Sequence, residues 1–340
     1  VSRPVNQKQI AALAGVSQTV VSRVLSGRAR EIGIADETIR RVSDIAERFN
    51  YLPNIGASLL QGRKTHLLSV IVRALDDPVL IALLAQARHA ASQAGYSTII
   101  AGFDHGHYNA KDVEMMEAYR PDAYLLLGDM DFSRWPLHFL SAGKPIVNIT
   151  ESARENPAPV QSVSADEACG CRMLLEHLKQ AGHSRIGLIA DGNPVGRQRL
   201  SSFLSEMAHL GLAAPAEWVF ASDACPETAG AEAARHYAEA VRAGNAPTAF
   251  CAMNDTIALS ALSEFLRCGL TVPGNLAIAG CNDIPAARMS YPSLTTLARP
   301  IAALVHEAMR RLTAGDAYPE SACAAFRPEL KVRESTAPRA

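Results

Sequence analysis

No apolar run in this 340-residue sequence approaches the roughly 18–20 residues of a membrane span, so no membrane partner is expected. The N-terminus lacks the basic-then-apolar leader pattern; export is not expected and a cytoplasmic location is. There is no phosphate-binding P-loop, no dinucleotide glycine fingerprint and no Gly-x-Ser-x-Gly nucleophile turn, which leaves enzymatic readings poor and implies no cofactor. The seven cysteines (169, 171, 225, 251, 268, 281 and 323) are odd in number and scattered. Cys169 and Cys171 stand two apart on an expected helix and point in different directions, and no pair has metal-ligand spacing. They read as reduced thiols, and no metal site is expected. Asp104-His105-Gly106-His107 reads as a solvated polar loop, and His183, after Gly182 at a helix end, as structural. Repeats and low-complexity tracts are absent.

What is present is a charge asymmetry hidden by the net charge of −1. Residues 1–64 hold ten Lys or Arg against five acids, a surplus of five positive charges, which leaves −6 for the remainder. A basic first fifth on an acidic body is the pattern of a nucleic-acid-binding head on a separate ligand or partner domain.

Within that head, Gln7–Leu25 holds two short apolar-periodic segments, Ile10-Leu13-Ala14 and Val21-Val24-Leu25. Gly15 can take the left-handed conformation that ends a helix, and Ser17 offers a hydroxyl to cap the next. This is the form of a helix-turn-helix, although the spacing alone equally fits an ordinary helical hairpin. Asn6 and Gln9 have capping-box spacing. Residues 26–33 read as an exposed loop. A third helix follows, opened by Asp36 and Glu37, with Ile39, Val42, Ile45, Ala46 and Phe49 on one face. Pro53–Leu60 has the makings of a two-turn helix that forms only against DNA or a partner, since Gly56 costs it about 1 kcal/mol. Residues 61–65 read as a linker.

From Leu67 short apolar runs alternate with amphipathic helices. Strands are expected at Leu67–Val72, Ser97–Ala101, Ala123–Leu127, Pro145–Ile149, Arg185–Ala190, Thr248–Ala252 and Leu276–Gly280. Helices are expected at Val79–Ala94, Ala165–Ala181, Arg199–Leu210, Glu227–Ala243, Thr256–Arg267 and Pro300–Ala314. Strand–helix alternation implies parallel sheets with helices on both faces and ligands beyond the strands' carboxyl ends, and the length favours two lobes.

AGVSQTVVSRVLSG, DETIRRV and FNYLPNIGASLLQGRKT in the head resemble the lac repressor (LacI/GalR-type) family of bacterial transcriptional regulators. Ala181–Leu188, Asn254-Asp255, Pro292–Thr296 and Leu330–Ser335 carry the resemblance to the end of the body. It implies a three-helix helix-turn-helix headpiece over 5–52, a hinge helix and linker over 53–64, and a two-lobed α/β effector domain like the periplasmic sugar-binding proteins. The N-terminal lobe would comprise 65–163 with 294–322, the C-terminal lobe 164–293 with 323–336, and the chain would cross near Val163, Ser293 and Ala322. The resemblance further implies a homodimer on a pseudo-palindromic double-stranded operator. Tetramers stay open, disfavoured by the lack of a leucine-heptad tail after Leu330.

Carried over by motif, Gln18, Thr19 and Arg23 would read bases: Gln suits adenine N6 and N7, Arg suits guanine O6 and N7. Ser17, Ser22 and Asn50 would contact phosphates. Val20 stands where relatives commonly have Thr, so a hydroxyl contact is missing there or Val20 meets a thymine methyl. Ala57 and Leu60 would form the minor-groove hinge, with Leu60 as the wedge. The effector cleft would involve Asp77, Thr150, Asn193, Arg197, Cys225, Asn254 and Asn282. Thr150 and Asn282 stand where sugar-binding relatives carry acids, and Val79 and Cys225 where they often carry aromatics. With Arg197 retained, the effector reads as a sugar or an anionic, phosphorylated metabolite. The expected function is a dimeric repressor controlled by this effector. The alternatives are an activator or ligand-independent regulator of the same fold and, from another class, a solute-binding protein or carbohydrate-processing enzyme.

Overall fold

The computed structural model describes residues 5–25, 29–49, 51, 64–102, 110–132, 143–151, 156–314 and 324–337. The expected phosphate contact Asn50, the hinge pair Ala57 and Leu60, the segment 104–107 and Cys323 lie outside the described residues. The chain divides into two units, Val1–Thr65 and His66–Ala340.

In the first unit α1 (Gln7–Ala14), α2 (Gln18–Leu25) and α3 (Asp36–Arg48) enclose a core of Ile10, Ala14, Val21, Val24, Val42 and Ala46. The capping box closes in both directions: the Gln9 N–H donates to Asn6 Oδ1 at 3.0 Å and the Asn6 N–H to Gln9 Oε1 at 2.9 Å. Gly15 ends α1 at φ 65°, ψ 33°, and Ser17 Oγ accepts from the Val20 N–H at 3.3 Å to start α2. The loop expected to be exposed differs: Arg30–Ile32 makes a 3-10 turn, and Ala29, only 3% exposed, joins the core. A lone alanine between charged residues carries too little apolar signal to show that. Phe49, expected on the buried face of α3, is exposed just past its end.

The second unit starts with β1 (Leu67–Val72), α4 (Pro78–Gln93), β2 (Ser97–Gly102), α5 (Ala110–Ala118), β3 (Ala123–Leu127), β4 (Ile146–Thr150) and β5 (Gln161–Ala165). It continues with α6 (Glu167–Gln180), β6 (Ile186–Asp191), α7 (Pro194–His209), β7 (Val219–Ser222), α8 (Pro226–Arg242), β8 (Ala249–Ala252) and α9 (Asp255–Arg267). Last come β9 (Ala277–Asn282), α10 (Pro285–Met289), β10 (Thr295–Ala298), α11 (Ile301–Thr313), β11 (Ala324–Phe326) and β12 (Glu329–Lys331). Two six-stranded sheets result, ordered β11-β5-β4-β3-β1-β2 and β12-β10-β9-β8-β6-β7. Every pairing is parallel except β10 with β12. Alternation along the strands feeds both faces of the first sheet: Val70 and Leu125 pack with Leu80, Leu83 and Leu304, while Ile71, Tyr124 and Leu126 pack on the other side. The second sheet is buried around Leu188, Phe203, Phe250, Ile257 and Ile278.

The two sheets exchange chain three times. The crossings expected near Val163, Ser293 and Ala322 lie in the structure at Asp166, Arg299-Pro300 and Arg327-Pro328, between β5 and α6, β10 and α11, and β11 and β12. Pairing sets them later: Val163 pairs with Ala324 in the first sheet, and Thr296 with Gly280 in the second. The first and third crossings are tied, since the Asp166 N–H donates to the Phe326 carbonyl at 2.8 Å.

Candidate functional site

The head presents one helix for reading. Gln18 and Thr19 are exposed on the first turn of α2, and Ser22 and Arg23 are half-buried one turn on. Val21 and Val24, on the opposite face, are buried against α1 and α3. The turn at Gly15 and the cap at Ser17 therefore fix which α2 residues face outward. Val20 is half-buried and packs on the head core, which accounts for an apolar residue there without any contact to a base.

In the body a cleft of about 530 Å³ opens where strands of both sheets end. Asp77, Asn193, Cys225, Asn254 and Asn282 all line it. Four of these are the residues at which helices begin: Asp77 for α4, Asn193 for α7, Cys225 for α8 and Asn254 for α9. Asp77 Oδ1 accepts from the Val79 N–H at 2.9 Å, Asn193 Oδ1 from Gly196 at 2.8 Å, and Asn254 Oδ1 from Ile257 at 2.8 Å. Pro78, Pro194 and Pro226 occupy the first helical turn, where a missing N–H costs nothing.

Two expected residues stand elsewhere. Thr150 ends β4, is 2% exposed, and is not part of the cleft wall; Glu151, the next residue, is. Arg197 is exposed on α7 and is not among the residues that line the cleft; it donates to the carbonyl of Gly192, which is. The arginine that reaches the cleft is Arg199, 4% exposed, whose Nε donates to Glu167 Oε2 at 2.9 Å and whose Nη1 donates to the Met253 carbonyl. Helical periodicity could have found it, because α7 begins at Pro194 and buries Gly196, Arg199, Phe203, Glu206 and Met207 along one stripe. A helix expected only from Arg199 puts Arg197 in a loop, and the anionic expectation depends on Arg197.

Arg73, directly after β1, was also missed. Its Nη2 lies 2.8 Å from Glu151 Oε2 and 3.2 Å from Asp77 Oδ2. Burial lowers the Arg73 pKa, but these carboxylates outweigh it and hold the guanidinium above its ordinary value. Burial conversely pushes the Glu151 carboxyl up, more than Arg73 pulls it down. Asp191 is raised by burial, with its hydrogen bond from Asn193 Nδ2 at 2.6 Å offsetting part of the effect. Asp255, fully buried at the start of α9, is pushed by burial to about 7 although Thr296 Oγ1 and the Ile284 N–H both donate to it, at 2.5 and 2.8 Å. Asn282 (φ 111°) and Asp283 (φ 53°) turn with positive φ at the end of β9; Arg333 donates to Asp283 Oδ1 at 2.5 Å and so holds the loop.

Comparison with known proteins matches both units. Residues 6–54 match the model of bacterial regulatory proteins of the lacI family, and residues 175–336 match that of a periplasmic binding protein-like domain. The transcriptional regulator DegA of Bacillus subtilis is 27% identical, with 97% of each chain covered. The transcriptional repressor PurR of Actinobacillus pleuropneumoniae is 26% identical over 96% of this chain and 97% of its own. The crystal structure of the lac repressor dimer bound to operator and the anti-inducer ONPF superposes with a TM-score of 0.79 at 21% identity, covering 98% of this chain and 99% of that one.

Proposed function

This chain belongs to the lacI family of bacterial regulatory proteins, and from that premise we propose that it is a cytoplasmic, dimeric transcriptional repressor that releases or grips operator DNA according to the occupancy of its cleft. The observation that carries the reading is the exposed face of α2, with Gln18 and Thr19 on its first turn and Arg23 one turn on, held outward by a buried opposite face. Ser17 and Ser22 are the phosphate donors of this account, and Arg23 the guanine reader. Asp77, Asn193, Asn254 and Asn282, together with Arg199 and Glu151, are its effector contacts.

The three crossings join the lobes on either side of the cleft. A ligand that spans the cleft binds the closed arrangement of the lobes better than the open one, and the difference in affinity is all that is available to shift the DNA-competent population. No nucleophile–base pair is present among the described residues that line the cleft. DNA affinity measured by fluorescence anisotropy should fall steeply between about 50 and 200 mM salt, because each neutralised phosphate releases counterions. A flat salt response contradicts it.

A further inference from the structure

Next to the cleft lies a second, much smaller cavity that shares Asn282 and Arg199 with it. It leaves about 10 Å³ for the centre of a water-sized molecule. Each of the three crossings contributes to its wall: Glu167 directly after the first, Leu297 and Arg299 at the second, and Pro328 at the third. The point where the chain passes between the lobes therefore borders a space that a residue of the cleft wall also borders.

The hydrogen bonds of the two arginines there differ. Every nitrogen of the Arg199 guanidinium donates, Nε and Nη2 to Glu167 and Nη1 to the Met253 carbonyl. Arg299 donates only through Nη2, to Glu167 Oε1 and to the Glu151 carbonyl. Its Nε and Nη1 are buried without a hydrogen-bond partner, on a side chain only 4% exposed. Asn282 Oδ1 is buried and unpartnered as well. Donors and an acceptor thus border one space with no bond among them, and a buried polar group left in that condition is costly. Asn282 reaches its place through a backbone φ of 111°, a conformation retained only where the surroundings demand it.

The occupant of this cavity has to accept from a guanidinium and donate to an amide carbonyl, which one water does by itself. The volume is that of about one water. A halide would accept from Arg299 but has no proton for Asn282, and it would stand against the Glu167 carboxylate of the same wall. A cation would meet two guanidiniums there.

We propose that one ordered water bridges the Arg299 guanidinium to Asn282 Oδ1 and so ties a residue of the cleft wall to the junction of the three crossings. Asn282 is then a positioning residue that acts on the crossings through this water. The bridge stands on the geometry of the cavity; only its use as a relay from ligand to DNA rests on the cleft being the effector site. Crystals of the full-length chain, grown once without halide and once from sodium bromide, are measured to a resolution at which ordered waters are seen, the second at the bromine absorption edge. Both maps should show a single peak about 2.7–3.2 Å from Asn282 Oδ1 and from Arg299 Nε or Nη1, with no anomalous signal. An anomalous peak makes this a halide site, and a direct Asn282–Arg299 hydrogen bond or an absent peak dispenses with the water; each overturns the inference. Hydrogen exchange of the full-length chain reads the tie itself. Asn282→Gly relieves the positive φ but removes the acceptor, and should speed exchange of the Asp166 amide, which donates to the Phe326 carbonyl between two crossings, by about threefold or more. Asn282→Asp keeps an acceptor for the water and should hold that amide within about twofold of the unsubstituted chain. Acceleration confined to the loop around residue 282, or equal acceleration by both variants, overturns the positioning role. Neither readout involves DNA or a ligand, so failure here leaves the regulator reading standing, and the salt response of DNA binding judges that reading separately.

Discussion

Glu167 and Arg299, 132 positions apart, meet at 2.8 Å where two of the three chain crossings run between the lobes. The same carboxylate accepts from Arg199 at 2.9 Å, and Arg299 Nη2 also donates to the Glu151 carbonyl at 3.2 Å. One acid thus joins the second lobe to a crossing whose arginine reaches back to the cleft wall of the first. Burial would raise Glu167, but Arg199 and Arg299 outweigh it and hold its carboxyl below the ordinary range. Both arginine side chains are 4% exposed.

Removing that acid strands two buried guanidiniums. Glu167→Gln should destabilise the body by about 3–5 kcal/mol, the usual cost of breaking a buried pair from one side. Urea unfolding at pH 7 measures it, and a loss under about 1 kcal/mol would show that the cluster contributes little. Because the folded pKa is depressed, the stabilisation is present above the unfolded value near 4.5 and is lost as pH falls through the folded one.

Asp255 behaves in the opposite sense. Its folded pKa of about 7 lies above the ordinary 3.8, so the protonated, hydrogen-bonded acid contributes stability that is full below about 4 and lost as pH rises through about 7. The displacement corresponds to roughly 4 kcal/mol at most. Asp255→Asn keeps an acceptor for the Ile284 N–H and a donor toward Thr296. It should flatten the stability profile between pH 5 and 8, read as the urea midpoint at each pH. An unchanged slope would mean that Asp255 is ionised throughout.

The caps of the head are separable from its reading face. Asn6→Ala removes the Gln9 N–H acceptor and should cost about 1 kcal/mol. Gly15→Ala forces a Cβ into φ 65° and should cost about 1–2 kcal/mol. Amide exchange in α1 should speed up about fivefold or more for each, while the body amides keep their protection. Arg23→Ala should instead leave exchange in α1 unchanged and relax base preference at one position by about 1–3 kcal/mol. Equal weakening across all duplexes would reassign Arg23 to the phosphates.

Arg197 and Arg199 lie two positions apart on α7 and face different surroundings. Arg197→Ala should leave effector affinity within about twofold, since Arg197 is exposed and not among the residues that line the cleft. Arg199→Lys cannot reproduce the forked contact to Glu167 and should weaken effector binding severalfold. Calorimetry with a compound that raises the melting temperature of the full-length chain in a saturable way decides between them.

The two units and the seven long strands were legible because Leu67–Val72 or Ala123–Leu127 are continuous apolar runs, as strands buried on both faces must be. Gln161–Ala165, Val219–Ser222 and Thr295–Ala298 escaped notice because four or five residues rich in Ser, Thr and Ala barely register as apolar. In Gln161–Ala165, Ser162 and Ser164 are nonetheless buried, the Ser162 carbonyl accepting from Arg311 Nη1 at 3.1 Å. That blind spot also displaced the crossings, since β5 and β10 define two of them. Five of seven expected cleft residues line the cleft because each stands where a strand has just ended or a helix is about to begin. Glu151 and Arg199 were missed by one and two positions, the error expected when the end of a strand and the start of a helix are read only from polarity. That acids gather at the cleft needed the fold, because Asp76, Asp191, Asp223 and Glu227 come together from three separate strand ends.

Sequence-specific DNA reading by a symmetric pair of heads can be checked by selection from random duplexes. After several rounds with the full-length chain, the enriched pool should converge on an inverted repeat whose half-sites change when Gln18 or Thr19 is substituted. An enriched pool with no repeat, or one indifferent to both substitutions, would contradict the account.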